Sequence, residues 1–495
     1  MRRVLRGGRV LAADALSAPR ADVVIENTRI AAILPAGTPV ADAEVFDASA
    51  RLVIPGLVNT HTHGHGGLAK GAGDKWDLAL LLAQAPWTNA GRNLDDKRLS
   101  TTLTAVEMLK KGCTAAYDLP AEFPGPTQEG LDAMAEAYIA VGLRAILAPM
   151  VADLTFFQAT PGLVEALPEP LRERAEAMRA NPGEATLATI GAVAQTWSHD
   201  HANIRLGIAP TIPLFGTDAF LKGCRALARD HGLPMQTHVA EARFQAGGAV
   251  ERYGKTLLAH MDDMGCVGPW FSVAHGVWLT DADLALLAER GGSLAHNPGS
   301  NMRLASGIAP IRRALRAGVT VGLGTDGSGS SDNQNMFESM RLAAFASRII
   351  ESESEDDWLG TAETVLLATA GSSRLMGLGG SGKIEVGASA DIVLLDLNHI
   401  NWMPFNDAAN QIVWTEDGAA VRDVMIGGDW KLRGGKVLGV DEVKLASDAQ
   451  AAVDRLWSAN AATRAFCEAV SPHVACHCRG LAKKFTGATR LLPVH

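Results

Sequence analysis

Eight times between residues 55 and 327 a short run of Val, Ile, Leu and Ala alternates with a longer stretch of helical spacing, and this recurrence constrains the fold more than any other feature. The runs are PGLVNTH (55–61), GCTAAYDL (112–119), GLRAILAPMVA (142–152), IRLGIAPTI (204–212), LPMQTHVAE (233–241), FSVAHGV (271–277), GSLAHNP (292–298) and VTVGLGTDG (319–327). Strands buried on both faces of a parallel sheet read this way. Between them, DADLALLAER (281–290) and APIRRALRAG (309–318) space apolar residues at i, i+3 and i+4, as amphipathic helices do. Eight strand-and-helix units predict an α/β fold, a TIM-like (β/α)8 barrel.

The ends have a different texture. Residues 1–53 hold RRVLRGGRVLAAD, ADVVIENTRIAAILPAG and AEVFDASARLVI, three strand-and-turn segments with no helix between them. Residues 381–440 repeat that all-β pattern in KIEVGASADIVLLDL and VRDVMIGGDWKLRGGKVL. The two ends are expected to build one small β-sandwich, interrupted by a catalytic barrel over 54–380, because chain termini often lie close in space. Residues 441–495 read as a helical extension with Val453, Leu456 and Trp457 on one face. It ends in SPHVACHCRG, where His473, Cys476, His477 and Cys478 crowd together. The C-x-C spacing is not the C-x2-C of structural zinc sites, so the segment reads as a docking or oligomer tail.

A net charge of -9 without long like-charge blocks offers no electrostatic footprint for nucleic acid or an anionic membrane, and a small neutral substrate fits better. MRRVLRGGRVLAADAL begins basic but lacks a long apolar core, and no run of about 18 apolar residues occurs, so a soluble cytoplasmic protein is expected. Six scattered cysteines in a chain of 495 residues read as thiols rather than disulfides.

Catalytic groups of a (β/α)8 barrel sit at the C-terminal ends of its strands. The first run ends in His61-Thr62-His63, the fifth in His238 with Glu241 three residues on, the sixth in His275, the seventh in His296 and the eighth in Asp326. Any one strand-end histidine is an ordinary polar residue; four such ends with a fifth bearing Asp are not. Residues i and i+2 of a strand share a side, so His61 and His63 can grip one ion while Thr62 points away. His65 continues the alternation, but among Gly64, Gly66 and Gly67 the chain is expected to turn out of the strand, which favours two ligands over three. Imidazole nitrogen with carboxylate oxygen suits zinc or ferrous iron with one position open for water, and such an ion generates hydroxide near neutral pH.

PGLVNTHTH, THVAE, AHGVWL, HNPGSNMRL and GLGTDG, in that order, resemble the amidohydrolase superfamily, in the branch with cytosine, guanine and adenosylhomocysteine deaminases and the s-triazine hydrolases. The resemblance spans residues 1 to about 440, split β-sandwich included. It implies that His61, His63, His238 and Asp326 hold one divalent metal ion per subunit, zinc before Fe(II). It implies that Asp326 takes a proton from the bound water, that Glu241 protonates a ring nitrogen, and that His275 steadies the intermediate or helps bind the water. Two-metal relatives need a lysine on the fourth strand, and IRLGIAPTIPLF (204–215) has none.

The expected function is hydrolytic deamination of a nitrogen heterocycle: purine, pyrimidine, pterin or triazine. The alternatives are cyclic-amide hydrolysis, s-triazine dehalogenation or alkylamine removal, and a non-catalytic scaffold. The scaffold would predict eroded ligands, and none of the four is missing. Trp87 is expected to stack on a planar ring and His296 to face substrate. Residues 71–93 and 123–128 read as loops over the mouth, Lys70 as a substrate or solvent contact, and the small and amide residues of GSGSSDNQNMFESMR as closing around the heterocycle. The branch resemblance implies a homodimer or higher homo-oligomer.

Overall fold

The computed structural model describes residues 2–350 and 354–488. Each of the eight runs contains a barrel strand: Leu57–Thr62, Cys113–Asp118, Arg144–Leu147, Ile204–Leu206, Met235–Val239, Phe271–His275, Ser293–His296 and Thr320–Leu323. Strands one to four pair in parallel in that order, and so do strands five to eight. Strands three and four break and resume as Met150–Val151 and Ala209–Pro210, which pair with each other. Backbone hydrogen bonds close the ring at both gaps. Gln236 N donates to Ile208 O between strands four and five, and Asp326 N donates to His61 O, 2.9 Å away, between strands eight and one.

Alternate residues of the strands, Val58, Ala115, Tyr117, Ile146, Ala148 and Ala209 among them, form one buried apolar cluster. Because side chains alternate along a strand, this packed interior leaves polar groups only at the strand ends. Helix starts carry side-chain caps: Thr127, Thr217, Thr256 and Thr280 each accept a hydrogen bond from a backbone N–H three residues on.

Both chain ends join in one nine-stranded sheet. Arg51–Pro55 pairs antiparallel with Ile392–Asp396, so the segments before and after the barrel share a hydrogen-bonded ladder. A second core of Leu5, Val23, Ile25, Val53, Ile392, Leu394 and Met425 lies within it, separate from the main core. The segment read as AEVFDASARLVI divides into two strands, Glu44–Asp47 and Arg51–Pro55, and the C-terminal part is not all-β: the helix Ala408–Trp414 interrupts it. Asp407 caps that helix, and its Ala408, Ala409, Ile412 and Val413 are buried, so short-range polarity gave no strand alternation to follow.

Residues 71–93 also depart from expectation. Leu78–Asn89 is a helix, not a mouth loop. LALLLAQAPW is apolar on every face because two neighbours cover it: the main core and the tail helix Ala461–Ala482. The tail is a pair of helices, Glu442–Ala459 and Ala461–Ala482. Leu456 and Ala452 pack on Leu68, just beyond the first barrel strand. Gln84 Nε2 donates to Cys467 O at 3.1 Å, and Arg243 Nη2 donates to Phe485 O at 2.7 Å. Gly247 is required where the tail docks: a Cβ there would stand 2.1 Å from Leu481 O. His477 Nε2 donates to Pro161 O and Cys478 is buried, so the Cys/His cluster is spread over helix packing. Among the described residues, no helix is long and apolar enough to cross a membrane.

Candidate active site

At the C-terminal end of the barrel, His61, His63, His238, His275 and Asp326 converge. The ligand-capable atoms of His61, His63 and His238 lie within 4.8 Å of one another, and so do those of His61, His275 and Asp326. Asp326 Oδ1 is 3.0 Å from His63 Nε2 and 3.5 Å from His61 Nε2. His63 Nε2 and His238 Nε2 are 3.2 Å apart. Glu241 joins from beyond strand five, its Oε2 3.9 Å from His275 Nε2, which is equally far from Asp326 Oδ2. His275 and Asp326 hold left-handed backbones, φ +69° and +61°, unusual for non-glycine residues.

The outer nitrogens explain the inner ones. His61 Nδ1 faces Gln236 Oε1 at 2.7 Å, His63 Nδ1 faces Leu119 O at 2.8 Å, His238 Nδ1 faces Thr211 O at 2.5 Å, and His275 Nδ1 faces Asn301 Oδ1 at 2.9 Å. Gln236 Nε2 donates to Thr60 O and Ser272 Oγ, which orients its carbonyl toward His61. Each imidazole therefore donates from Nδ1 and turns a bare Nε2 lone pair inward. His61 Nε2 and His275 Nε2 are buried without a hydrogen-bond partner. Lone pairs converging beside a carboxylate fit a divalent cation, with neutral imidazole and carboxylate as donors.

Charge states follow from burial. Burial holds His61 below the usual imidazole pKa and His238 well below it; His275 is pushed down to about 4, partly opposed by Asp326. Burial also acts against the charged form of His63, but its contact with Asp326 outweighs that and raises it. Burial works to raise Asp326, yet the adjacent His61 and His63 imidazoles bring it well below the usual carboxylate range. Glu241 is raised well above the ordinary value, first by burial and then by Asp326. The environment thus pushes the two carboxyl groups in opposite directions, the condition under which a pair of carboxyls can divide acid and base roles.

Thr62 points away from the cluster, as alternation requires. Its Oγ1 donates to Gln334 Oε1 at 2.7 Å, and Gln334 Nε2 donates to Asp326 O at 2.8 Å. Ser300 Oγ donates to Asp326 Oδ2 at 2.6 Å. Gln334 thus braces Asp326 from behind, while Asn333 Nδ2 donates to Glu338 Oε2 and Asn335 caps the helix Met336–Arg348. Gln236, Asn301 and Ser300 are the residues sequence reading missed. Gln236 shares a face with His238 two positions on, which was a usable signal; the contacts of Asn301 and Ser300 depend on the short helix Pro298–Arg303 after strand seven.

His296 sits at its strand end, buried, with Nδ1 unpartnered, and is driven down to about 3 by burial and then by His275. Trp87 is not brought to the cluster. It is buried under the tail, its Nε1 donating to Gln84 Oε1 and its ring edge-on to Trp457 at 5.7 Å. Lys70 is ion-paired with Glu107 at the surface. A recess of about 750 Å³ lined by Arg29, Arg144, Arg205 and Lys431 opens near the starts of strands three and four, away from the histidines.

The sequence profile of the amidohydrolase family matches residues 52–431, a span holding the whole barrel and every residue of this cluster. The chain belongs to the amidohydrolase family. This amidohydrolase is 33% identical over 428 residues to a 5-methylthioadenosine/S-adenosylhomocysteine deaminase of Thermococcus kodakarensis, covering 86% of this chain and 92% of that one. An adenosine deaminase from Xanthomonas campestris with bound zinc superposes with a TM-score of 0.80 at 28% identity, covering 92% and 98% of the two chains. An atrazine chlorohydrolase from Arthrobacter aurescens complexed with zinc reaches a TM-score of 0.81, covering 91% and 99%; at 23% identity it shares the amidohydrolase barrel, and only the fold is shown.

Proposed function

We propose that this amidohydrolase is a zinc-dependent hydrolytic deaminase of adenine nucleosides, including those modified at the 5′ position. The observation that carries the reading is Glu241, a buried carboxyl group 3.9 Å from His275 at the edge of the imidazole cluster, where burial and the charge of Asp326 both favour its protonated form. Deamination of a ring amidine needs an acid at that place, because the ring nitrogen must take a proton before the amine can leave. The substrate class comes from the methylthioadenosine/adenosylhomocysteine deaminase and the adenosine deaminase that this chain resembles.

His61, His63, His238 and Asp326 would hold the ion, which when bound supplies a water acidic enough to lose a proton near neutral pH. Asp326 takes that proton, and Glu241 gives its own to nitrogen 1 of the adenine ring as oxygen adds to carbon 6. His275, with its Nδ1–H committed to Asn301, offers an Nε2 acceptor that orients the attacking water. The tetrahedral carbon then collapses: Asp326 returns a proton to the amine, ammonia leaves, and the new hydroxyl proton restores Glu241. Water is consumed, and the product is a lactam.

Ammonia release by the zinc-loaded protein tests the reading, with 5′-methylthioadenosine, S-adenosylhomocysteine, adenosine and an aminotriazine as substrates. Release from the nucleosides is expected. Turnover of the triazine alone would replace the nucleoside reading with the triazine one.

A further inference from the structure

His65 is the third histidine of HTHGH, and the cluster leaves it out for a reason of proton placement. Its Nδ1 receives a hydrogen bond from Ala121 N–H at 3.2 Å. A backbone N–H can only donate, so Nδ1 carries the lone pair and the proton sits on Nε2. His61, His63, His238 and His275 have the opposite arrangement. His65 cannot turn a bare Nε2 inward; it presents an N–H, and among the described residues no protein group is recorded as accepting it.

The ring is also held still. Its centroid is 5.5 Å from that of His63, and the side chain is only partly buried. Ser100 Oγ and the Arg92 guanidinium both donate to His65 O, Ser100 Oγ and Thr104 Oγ1 donate to Gly64 O, and Gly64 N donates to Asp118 Oδ1. Gly67 allows the approach, since a Cβ there would meet Ser100 O at 2.4 Å. A donor with so little freedom loses little entropy on binding an acceptor.

Position selects the acceptor. His65 follows strand one and Glu241 follows strand five, so in a ring of eight they stand on opposite sides of the mouth. Nitrogens 1 and 7 of adenine lie on the two edges that flank carbon 6. With nitrogen 1 at Glu241, nitrogen 7 faces the side of His65. We propose that His65 is a specificity-determining residue whose Nε2–H donates a hydrogen bond to nitrogen 7 of the adenine ring. This rests on the nucleoside deaminase reading of the same site.

The test pairs a protein change with a substrate change. kcat/KM is measured for 5′-methylthioadenosine and for its 7-deaza analogue, in which C–H replaces nitrogen 7, with the zinc-loaded wild type, His65→Ala and His65→Gln. The wild type should prefer the natural base by about three- to tenfold, as one neutral hydrogen bond does. His65→Ala should bind zinc as the wild type does and lose that preference, while His65→Gln, which keeps an N–H of similar reach, should retain part of it. A preference undiminished in His65→Ala, or a wild type indifferent to nitrogen 7, overturns the proposal alone. If the wild type deaminates neither compound, the nucleoside reading fails and this proposal falls with it.

Discussion

His63 Nε2 and His238 Nε2 stand 3.2 Å apart while each ring commits its Nδ1 to a backbone carbonyl, Leu119 O and Thr211 O respectively. No proton lies between them in that arrangement, and two lone pairs facing each other across a buried space repel. A cation relieves this. Chelation should therefore lower both melting temperature and ammonia release, and zinc should restore both. The stabilisation by metal reaches about 4 kcal/mol when free ion exceeds its Kd 1,000-fold. His238→Ala should bind less than one ion per chain and show neither response; full metal content in that variant would remove His238 from the ligand set.

Glu241 is raised by burial and by the charge of Asp326, so the neutral form persists above the ordinary carboxylate range. The acid is present below its raised pKa and lost as pH climbs through it, which predicts an alkaline fall in kcat. Glu241→Gln should retain metal, lower kcat by about 10²–10⁴-fold and abolish that alkaline limb. An unchanged pH profile in the residual activity of the variant would assign the limb to another group.

Gln236 is fully buried behind His61, and it sets the proton position on that ring. Gln236→Leu removes the 2.7 Å contact to Nδ1 and leaves that nitrogen buried without an acceptor. Zinc affinity or kcat should fall about 10–100-fold, the usual cost of losing such a partner. Titration with a competing chelator measures the affinity directly.

Trp87 holds the tail to the barrel: Arg464 lies 5.0 Å from its ring centroid, and Asn460 Nδ2 donates to its carbonyl at 3.0 Å. Trp87→Ala should cost about 3–5 kcal/mol in unfolding free energy with kcat/KM unchanged in the folded fraction. A large rise in KM at unchanged stability would return Trp87 to the substrate site.

The barrel was legible because its strands are buried on both faces and stay apolar end to end, so polar groups stand out where each run stops. That is why His61, His63, His238, His275, Glu241 and Asp326 could be named from strand ends. The helix Leu78–Asn89 could not be read, because a segment apolar on all sides has no periodicity and takes its partner from a tail nearly 400 residues away. Trp87 was misplaced for the same reason, and Gln334, expected among residues closing around a heterocycle, bonds the Asp326 backbone instead.

Local pattern, then, determined the barrel strand count, the residue types standing at the strand ends and the exit of the chain after His63, since these depend on neighbours within a few positions. The joining of both ends in one sheet, the proton on each imidazole and the raised pKa of Glu241 were decided only by tertiary structure. Each depends on a donor, an acceptor, a charge or a loss of water supplied from elsewhere in the chain: the Ala121 N–H for His65, the Gln236 and Asn301 oxygens for His61 and His275. Packing places those partners, and the protons follow.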